Sequence, residues 1–206
     1  MVEQSLVEQV SVQEKVVAFT FDDGPHPVYT HQVLEIFRRA GGHATFFMIG
    51  KEMEAYPDIA AEVHREGHEI ANHTYTHPNL TELTLEEAGE ELQQAERLVQ
   101  EVTGNAARSF RPPYFGVNED ILALAAERGY RTIGAVNGGA QDWDNPGVDH
   151  ILEHTRSVVK PGSVLIFHDG YGDRSQTVEA VRVLVEELTA EGYRMVTVSE
   201  LLRMAE

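Results

Sequence analysis

The sequence predicts an α/β fold: an incomplete barrel of seven parallel strands, each followed by a helix, in a (β/α)7 arrangement. Three observations lead there. Short apolar runs alternate seven times with amphipathic stretches, and no linker, repeat or low-complexity segment interrupts them. Strict alternation of this kind implies parallel strands covered by helices. Finally, Asp22, Asp23, His73, Arg111, Asp142 and His168 all fall just past the carboxyl ends of strand-like runs. A barrel gathers those ends on one rim, whereas the alternative, an open doubly wound sheet, spreads them along a line.

The elements follow in order. Val16 to Phe19 is a buried strand whose end carries Thr20-Phe21-Asp22-Asp23-Gly24-Pro25. Val28 to Ala40 reads as an amphipathic helix through Val33, Leu34, Ile36 and Phe37, stopped by Gly41-Gly42. A strand from Ala44 to Ile49, a helix from Lys51 to Glu66 and a short strand at Glu69 to Ala71 lead into Asn72-His73-Thr74-Tyr75-Thr76-His77-Pro78. Residues 84 to 103 form the longest helix, with Gly104 as its stop. A brief fourth strand precedes Phe110-Arg111-Pro112-Pro113-Tyr114, whose double proline imposes an extended, rigid entry to the next loop. A helix (Glu119 to Arg128) and a strand (Tyr130 to Gly134) then give way to a glycine-rich stretch ending in Gln141-Asp142-Trp143-Asp144. After a helix at 148 to 159, the strand Ser163 to Phe167 ends in His168-Asp169-Gly170. A helix (Thr177 to Glu191), a strand (Tyr193 to Val198) and a short helix capped by Ser199 complete the chain.

With 206 residues the chain suits one domain, read as 15–206, preceded by a polar N-terminal segment, 1–14. Its 34 acids against 16 bases give a net charge of −18, which repels nucleic acid and anionic membranes but suits a neutral glycan substrate. There is no cysteine, so any metal must rest on histidine and carboxylate. No segment approaches the roughly 18 apolar residues of a membrane span. The first fourteen residues lack a signal-peptide apolar core. The chain is therefore expected to be secreted or attached to the cell wall if a leader has been removed, and cytoplasmic otherwise.

Two adjacent carboxylates at a strand end, Asp22 and Asp23, point in different directions, so one can hold a cation while the other stays free to take a proton. Three histidine pairs are spaced four apart: His64/His68, His73/His77 and His150/His154. Gly67 interrupts the first, which reads as a surface pair, and the third lies on the solvated side of an amphipathic helix. His73/His77 directly follows a strand, with Thr74 and Thr76 to brace it. With Asp23 it supplies two imidazoles and one carboxylate, leaving a coordination position for water or substrate, as in catalytic zinc sites.

On these residues the chain resembles the carbohydrate esterase family 4 polysaccharide deacetylases, the NodB homology domain. Five motifs carry the resemblance in order across about residues 15 to 202: Thr20 to Pro25, His73 to His77, Arg111-Pro112-Pro113-Tyr114, Asp142-Trp143, and Val164 to Asp169. The resemblance implies a distorted barrel and a divalent cation, most often zinc, with cobalt, nickel or manganese as alternatives. It further implies a metal-dependent hydrolase that removes acetyl groups from N-acetylated or O-acetylated sugars of a glycan such as peptidoglycan or chitin. Asp23, His73 and His77 would hold the metal, Asp22 would be the base, and Arg111 would pair with it. The Tyr114 amide would stabilise the oxyanion and His168 would protonate the departing amine. Trp143, Ile166 and Pro112 would line the substrate groove. Ile166 stands where leucine is typical, a mild change. Many members carry an aspartate three residues before the Asp-Trp pair, to orient the histidine; here that position is Gly139, with Asp142, Asp144 and Asp169 as candidate substitutes. The competing readings are a same-fold amide hydrolase acting on a small molecule or lipid-linked sugar, and a non-catalytic glycan-binding domain. A monomer is expected.

Overall fold

In a computed structural model describing residues 6–205, β1 (Val16–Asp22) is the central strand, and all seven of its residues are buried. Its β-branched and aromatic run pairs in parallel with β2 (Thr45–Met48) on one side and β6 (Val164–His168) on the other. From β2 the sheet continues through β3 (Glu69–Asn72) and β4 (Ser109–Phe110) to β5 (Arg131–Thr132), while β7 (Arg194–Met195) pairs with the base of β1. All pairings between these seven strands are parallel, and the sheet curls into the expected distorted, incomplete (β/α)7 barrel.

Period-two alternation divides the strands between two cores. Val17, Phe19, Phe21, Phe46, Leu165 and Phe167 face outward. There they meet α1 (Tyr29–Ala40), α4 (Leu85–Thr103) and α7 (Ser175–Ala190). Val16, Ala18, Phe47, Ala71, Ile133 and Val164 face the barrel interior, which α8 (Val198–Arg203) closes from below with Val198 and Leu201. Continued upward, the interior parity of each strand delivers Thr20 and Asp22 from β1, His73 beyond β3, Arg111 beyond β4, and Ile166 and His168 from β6.

The gap between β5 and β6 is closed by residues 6–10. Val7 bridges to Ile133 and Gln9 to Ser163. The Val10 amide donates to the Gly162 carbonyl at 2.9 Å, and a Cβ on Gly162 (φ 82°) would lie 1.8 Å from the Val10 carbonyl oxygen. The described part of the polar segment 1–14 thus belongs to the barrel rather than preceding it.

Two local readings change. The helix expected over 51–66 is two, α2 (Gly50–Ala55) and α3 (Pro57–Arg65). Proline lacks the amide a continuous helix needs, and it excludes the helical region for Tyr56 (φ −132°, ψ 57°). The cap of α8 is Thr197, in a capping box with Glu200, while Ser199 donates its hydroxyl to Glu69 at 2.7 Å. The remaining helices are α5 (Glu119–Glu127) and α6 (Val148–Arg156). No helix among the described residues is long and apolar enough to cross a membrane.

Phe19 stacks on Phe167 (centroids 5.7 Å) and meets Phe37 edge-on (5.6 Å). Phe19→Ala is expected to lower the unfolding free energy by about 3–5 kcal/mol, read from urea denaturation.

Candidate active site

All ten residues singled out from the sequence as catalytic, supporting, metal-binding or groove residues line one cavity of about 380 Å³ at the carboxyl rim, joined by Phe115. A larger cleft of about 750 Å³ lies at the opposite end of the barrel, lined by residues 6–11 and parts of α8, and shares none of them.

Asp22 is buried and accepts from Arg111 Nη1 at 2.7 Å. That guanidinium is 1% exposed; it also donates to Thr20 Oγ1 (2.6 Å) and to the carbonyls of Ile133 (3.2 Å) and Gly134 (2.8 Å). A charge held this deep is tolerated because it is both paired and hydrogen-bonded.

Asp23 breaks the alternation that would aim it away from Asp22. Its φ of 74° lies in the left-handed region and turns the carboxylate into the same cavity. Its Oδ1 stands 3.5 Å from His73 Nε2 and 3.3 Å from His77 Nε2. His73 Nδ1 lies 2.7 Å from the Arg111 carbonyl, which can only accept, so the proton sits on Nδ1 and the Nε2 lone pair faces the cavity.

The two histidines reach one point through a left-handed bend, with Thr74 at φ 68° and His77 at φ 64°, rather than through a helical turn. Asn72 accepts the Thr74 amide at 2.9 Å, and Thr74 Oγ1 accepts the His77 amide at 3.1 Å. Glu91 on α4 accepts the Tyr75 and Thr76 amides and the Thr76 hydroxyl at 2.7–2.9 Å.

Three observations fit a divalent cation at Asp23, His73 and His77. Their ligand atoms lie within 4.8 Å of one another, the one such cluster among the described residues. Asp23 Oδ1 is buried without a hydrogen-bond partner. The 3.3 and 3.5 Å separations match the edge of a tetrahedron whose corners lie about 2 Å from a shared ion. Burial alone would raise the Asp23 pKa; the neighbouring imidazoles, His73 foremost and then His168 and His77, outweigh it and bring it down to about 2.

On the other side stands His168, paired with Asp22 in the β1–β6 register. Its Nδ1 is 2.9 Å from Asp142 Oδ1, and its backbone amide donates to Asp142 Oδ2 at 2.8 Å, where Thr177 also donates. Burial disfavours the imidazolium, but the charges of Asp142, Asp22 and Asp23 outweigh it and lift the His168 pKa to about 9. A bound cation would offset part of that field. Asp142 therefore meets the histidine directly. Gly139 is exposed, beside His154 and away from the cavity. Asp169 is fully buried, bonded to Thr30 and packed under Gly24, where a Cβ would come within 2.6 Å of its carboxylate. Its carboxylate supports the turn after β1 and makes no hydrogen bond to the His168 ring.

The rim carries the remaining groove residues. Trp143 meets His168 edge-on (5.5 Å) and Tyr114 meets His77 (4.8 Å), while Pro112 and the buried Ile166 complete the wall. Tyr114 has φ 57°, and its amide has no acceptor among the described residues, because the turn bonds run from Phe115 to Pro112 and from Gly116 to Pro113. The other histidine pairs stay apart from this site. His68 is buried rather than on the surface. Gly67 (φ 86°) turns it inward between Phe37 and Phe46, its Nδ1 accepts the Ala44 amide, and burial lowers its pKa to about 4. His150 and His154 stack on each other at 3.9 Å.

Sequence reasoning did not anticipate Glu91, which looked like one more solvated helix acid. A carboxylate in the second turn of α4, a helix that follows the histidine loop, was the available signal.

Comparison with known proteins places these residues in context. Residues 9–133 match the family model for polysaccharide deacetylases. The chain is 40% identical to a peptidoglycan-N-acetylglucosamine deacetylase of Bacillus cereus over 95% of its own length and 92% of that protein. It is 32% identical to a chitooligosaccharide deacetylase of Azorhizobium caulinodans, covering 91% of this chain and 94% of the other. Among solved structures it is similar to the peptidoglycan deacetylase PdaC from Bacillus subtilis, with a TM-score of 0.84, 31% identity and coverage of 93% and 92%.

Asp142→Asn removes the largest of the charges that outweigh burial at His168. In metal-free protein the His168 pKa is expected to fall from its native value of about 9, measured by NMR titration of the imidazole, and an unchanged value would show that Asp142 does not set it.

Proposed function

The chain belongs to the polysaccharide deacetylase family, and on that premise we propose that it is a metal-dependent hydrolase removing acetyl groups from N-acetylated sugars of a glycan. The single observation that carries this reading is the unpartnered Asp23 Oδ1 between two imidazoles, with a buried carboxylate on one side and a raised-pKa imidazole on the other.

Asp23, His73 and His77 would hold the cation. Zinc fits the donor set best, and cobalt, nickel or manganese suit the same nitrogen and oxygen ligands. When bound, the ion polarises the acetyl carbonyl and acidifies an adjacent water. Asp22 takes the proton from the attacking water. Its Oδ1 is committed to Arg111, while Oδ2, 3.7 Å from His73 Nε2, faces the cavity. The Tyr114 amide donates to the oxygen that gains charge as the carbonyl carbon becomes tetrahedral. His168 then delivers a proton to the amide nitrogen as the C–N bond breaks, because an amine does not leave without one. Asp142 holds that imidazole in place and favours its protonated form. Ile166 and Trp143 form the apolar wall for the acetyl group and the sugar.

The substrate we favour is N-acetylglucosamine within peptidoglycan, supported by the 40% relative that spans nearly the same length. Such a substrate would place the protein at the cell wall. Acetate release from peptidoglycan, chito-oligosaccharides and acetylated xylan tests the choice, and turnover confined to the latter two would refute it.

Asp22→Asn is expected to lower kcat at least 1,000-fold while zinc still binds, measured by calorimetry beside the activity assay. His73→Ala is expected to lose metal and activity together, and His150→Ala neither. Activity should fall on the alkaline side as His168 loses its proton, with a midpoint below about 9 because the cation opposes the imidazolium. A rate independent of pH between 7 and 10 would remove His168 from the role of acid.

A further inference from the structure

Among the described residues the large aromatic side chains classed as exposed are Tyr114, Trp143 and Tyr171, and all three stand on the active rim. The first two belong to the site above. Tyr171 does not. It lies three residues beyond His168, 47% exposed, with its ring edge-on to His77 at 6.2 Å. Tyr114 approaches the same imidazole at 4.8 Å, so two phenol rings flank one side of the metal site while Trp143 flanks His168.

Tyr171 has φ 49°, a left-handed conformation that costs a non-glycine residue free energy and that burial of its ring does not offset here. The surrounding loop holds it there. Gly170 packs so close to Asp23 that a Cβ would lie 2.0 Å from the Asp23 carbonyl oxygen. Arg174 is 6% exposed and has no carboxylate partner among the described residues. Its Nε donates to the Gly170 carbonyl at 2.7 Å and its Nη1 to the Trp143 carbonyl at 3.1 Å. One buried guanidinium thus ties the Tyr171 loop to the Trp143 loop. Asp173, accepting from the Tyr29 hydroxyl at 2.8 Å and the Ser175 amide at 2.9 Å, fixes the far side of the turn.

We propose that Tyr171 is the platform of a second sugar subsite, stacking on the pyranose unit next to the one that loses its acetyl group. Pyranose rings present an apolar C–H face, and an exposed, rigidly held phenol offers matching area without a conformational cost on binding. Arg174 is a positioning residue that sets the spacing between this platform and Trp143. The subsite rests on the deacetylase reading and extends it: the ligand is a glycan of two or more units, not a free acetylated monosaccharide.

The test compares zinc-loaded native protein, Tyr171→Asn and Tyr171→Phe on N-acetylated chitotetraose and on 4-nitrophenyl acetate. Asparagine removes the ring while tolerating the left-handed backbone, and phenylalanine keeps the ring. Tyr171→Asn is expected to raise KM for the tetramer about tenfold with kcat within about twofold, and to leave the small ester unchanged. Tyr171→Phe should stay within about twofold of native on both. A Tyr171→Asn variant equal to native on the tetramer, or equally impaired on both substrates, would overturn the subsite while leaving the deacetylase reading intact. A native protein that cleaves the ester but releases no acetate from the tetramer or from peptidoglycan would overturn both.

Discussion

The buried ion pair between Arg111 and Asp22 is the constraint on which the site depends. Placing a guanidinium inside a barrel costs several kcal/mol unless its charge and its N–H groups are all answered. Asp22 answers the charge, and Thr20, Ile133 and Gly134 accept from three more of the five N–H groups. Those partners come from β1 and from the stretch after β5, so one side chain locks two walls of the barrel to the end of β4. The same residue's backbone carbonyl takes the Nδ1 proton of His73. A single position therefore orients the carboxylate read as the base and selects the tautomer of an imidazole read as a ligand.

Around that rigid centre the rim loops hold backbone strain. The eight non-glycine residues recorded with positive φ are Asp23, Thr74, His77, Tyr114, Phe115, Gln141, Asn145 and Tyr171, and every one lies in a loop leaving the carboxyl end of a strand. Each such conformation costs of order 1–3 kcal/mol and persists only where the surroundings over-determine it. Here the surroundings are side chains reaching in from outside the cavity: Glu91 from α4 beneath the histidine bend, Asn72 beneath Thr74, and Arg174 between the last two loops. Regular strands alone would aim Asp23 elsewhere, so the left-handed residues bring the ligand set together.

What could be read from the sequence follows from these two layers. Asp22, His73, Arg111 and His168 were legible because each closely follows an apolar strand-like run, and Ile166 through the motif that ends in His168; the structure adds that interior parity carries them to one face. The seven strand–helix units were legible because apolar runs alternate with amphipathic stretches. The partners that hold the loops were not. Glu91 lies on a helix with many other acids, and Tyr171 stands in a glycine-flanked turn without periodicity; Asp142 was visible on the rim, but the choice among it, Asp144 and Asp169 as the partner of His168 stayed open. The closing segment at residues 6–10 makes isolated bridges at Val7 and Gln9, too short to leave a strand pattern. Pro57 was visible but was read through, which merged two helices into one.

The larger cleft at the base of the barrel is lined by residues near both chain ends, Leu6 and Ala205. The catalytic mouth opens in the opposite direction. Leu6 and Ala205, the outermost described residues, thus both sit on the face away from the catalytic mouth, so the approach to the rim is left clear of either of them.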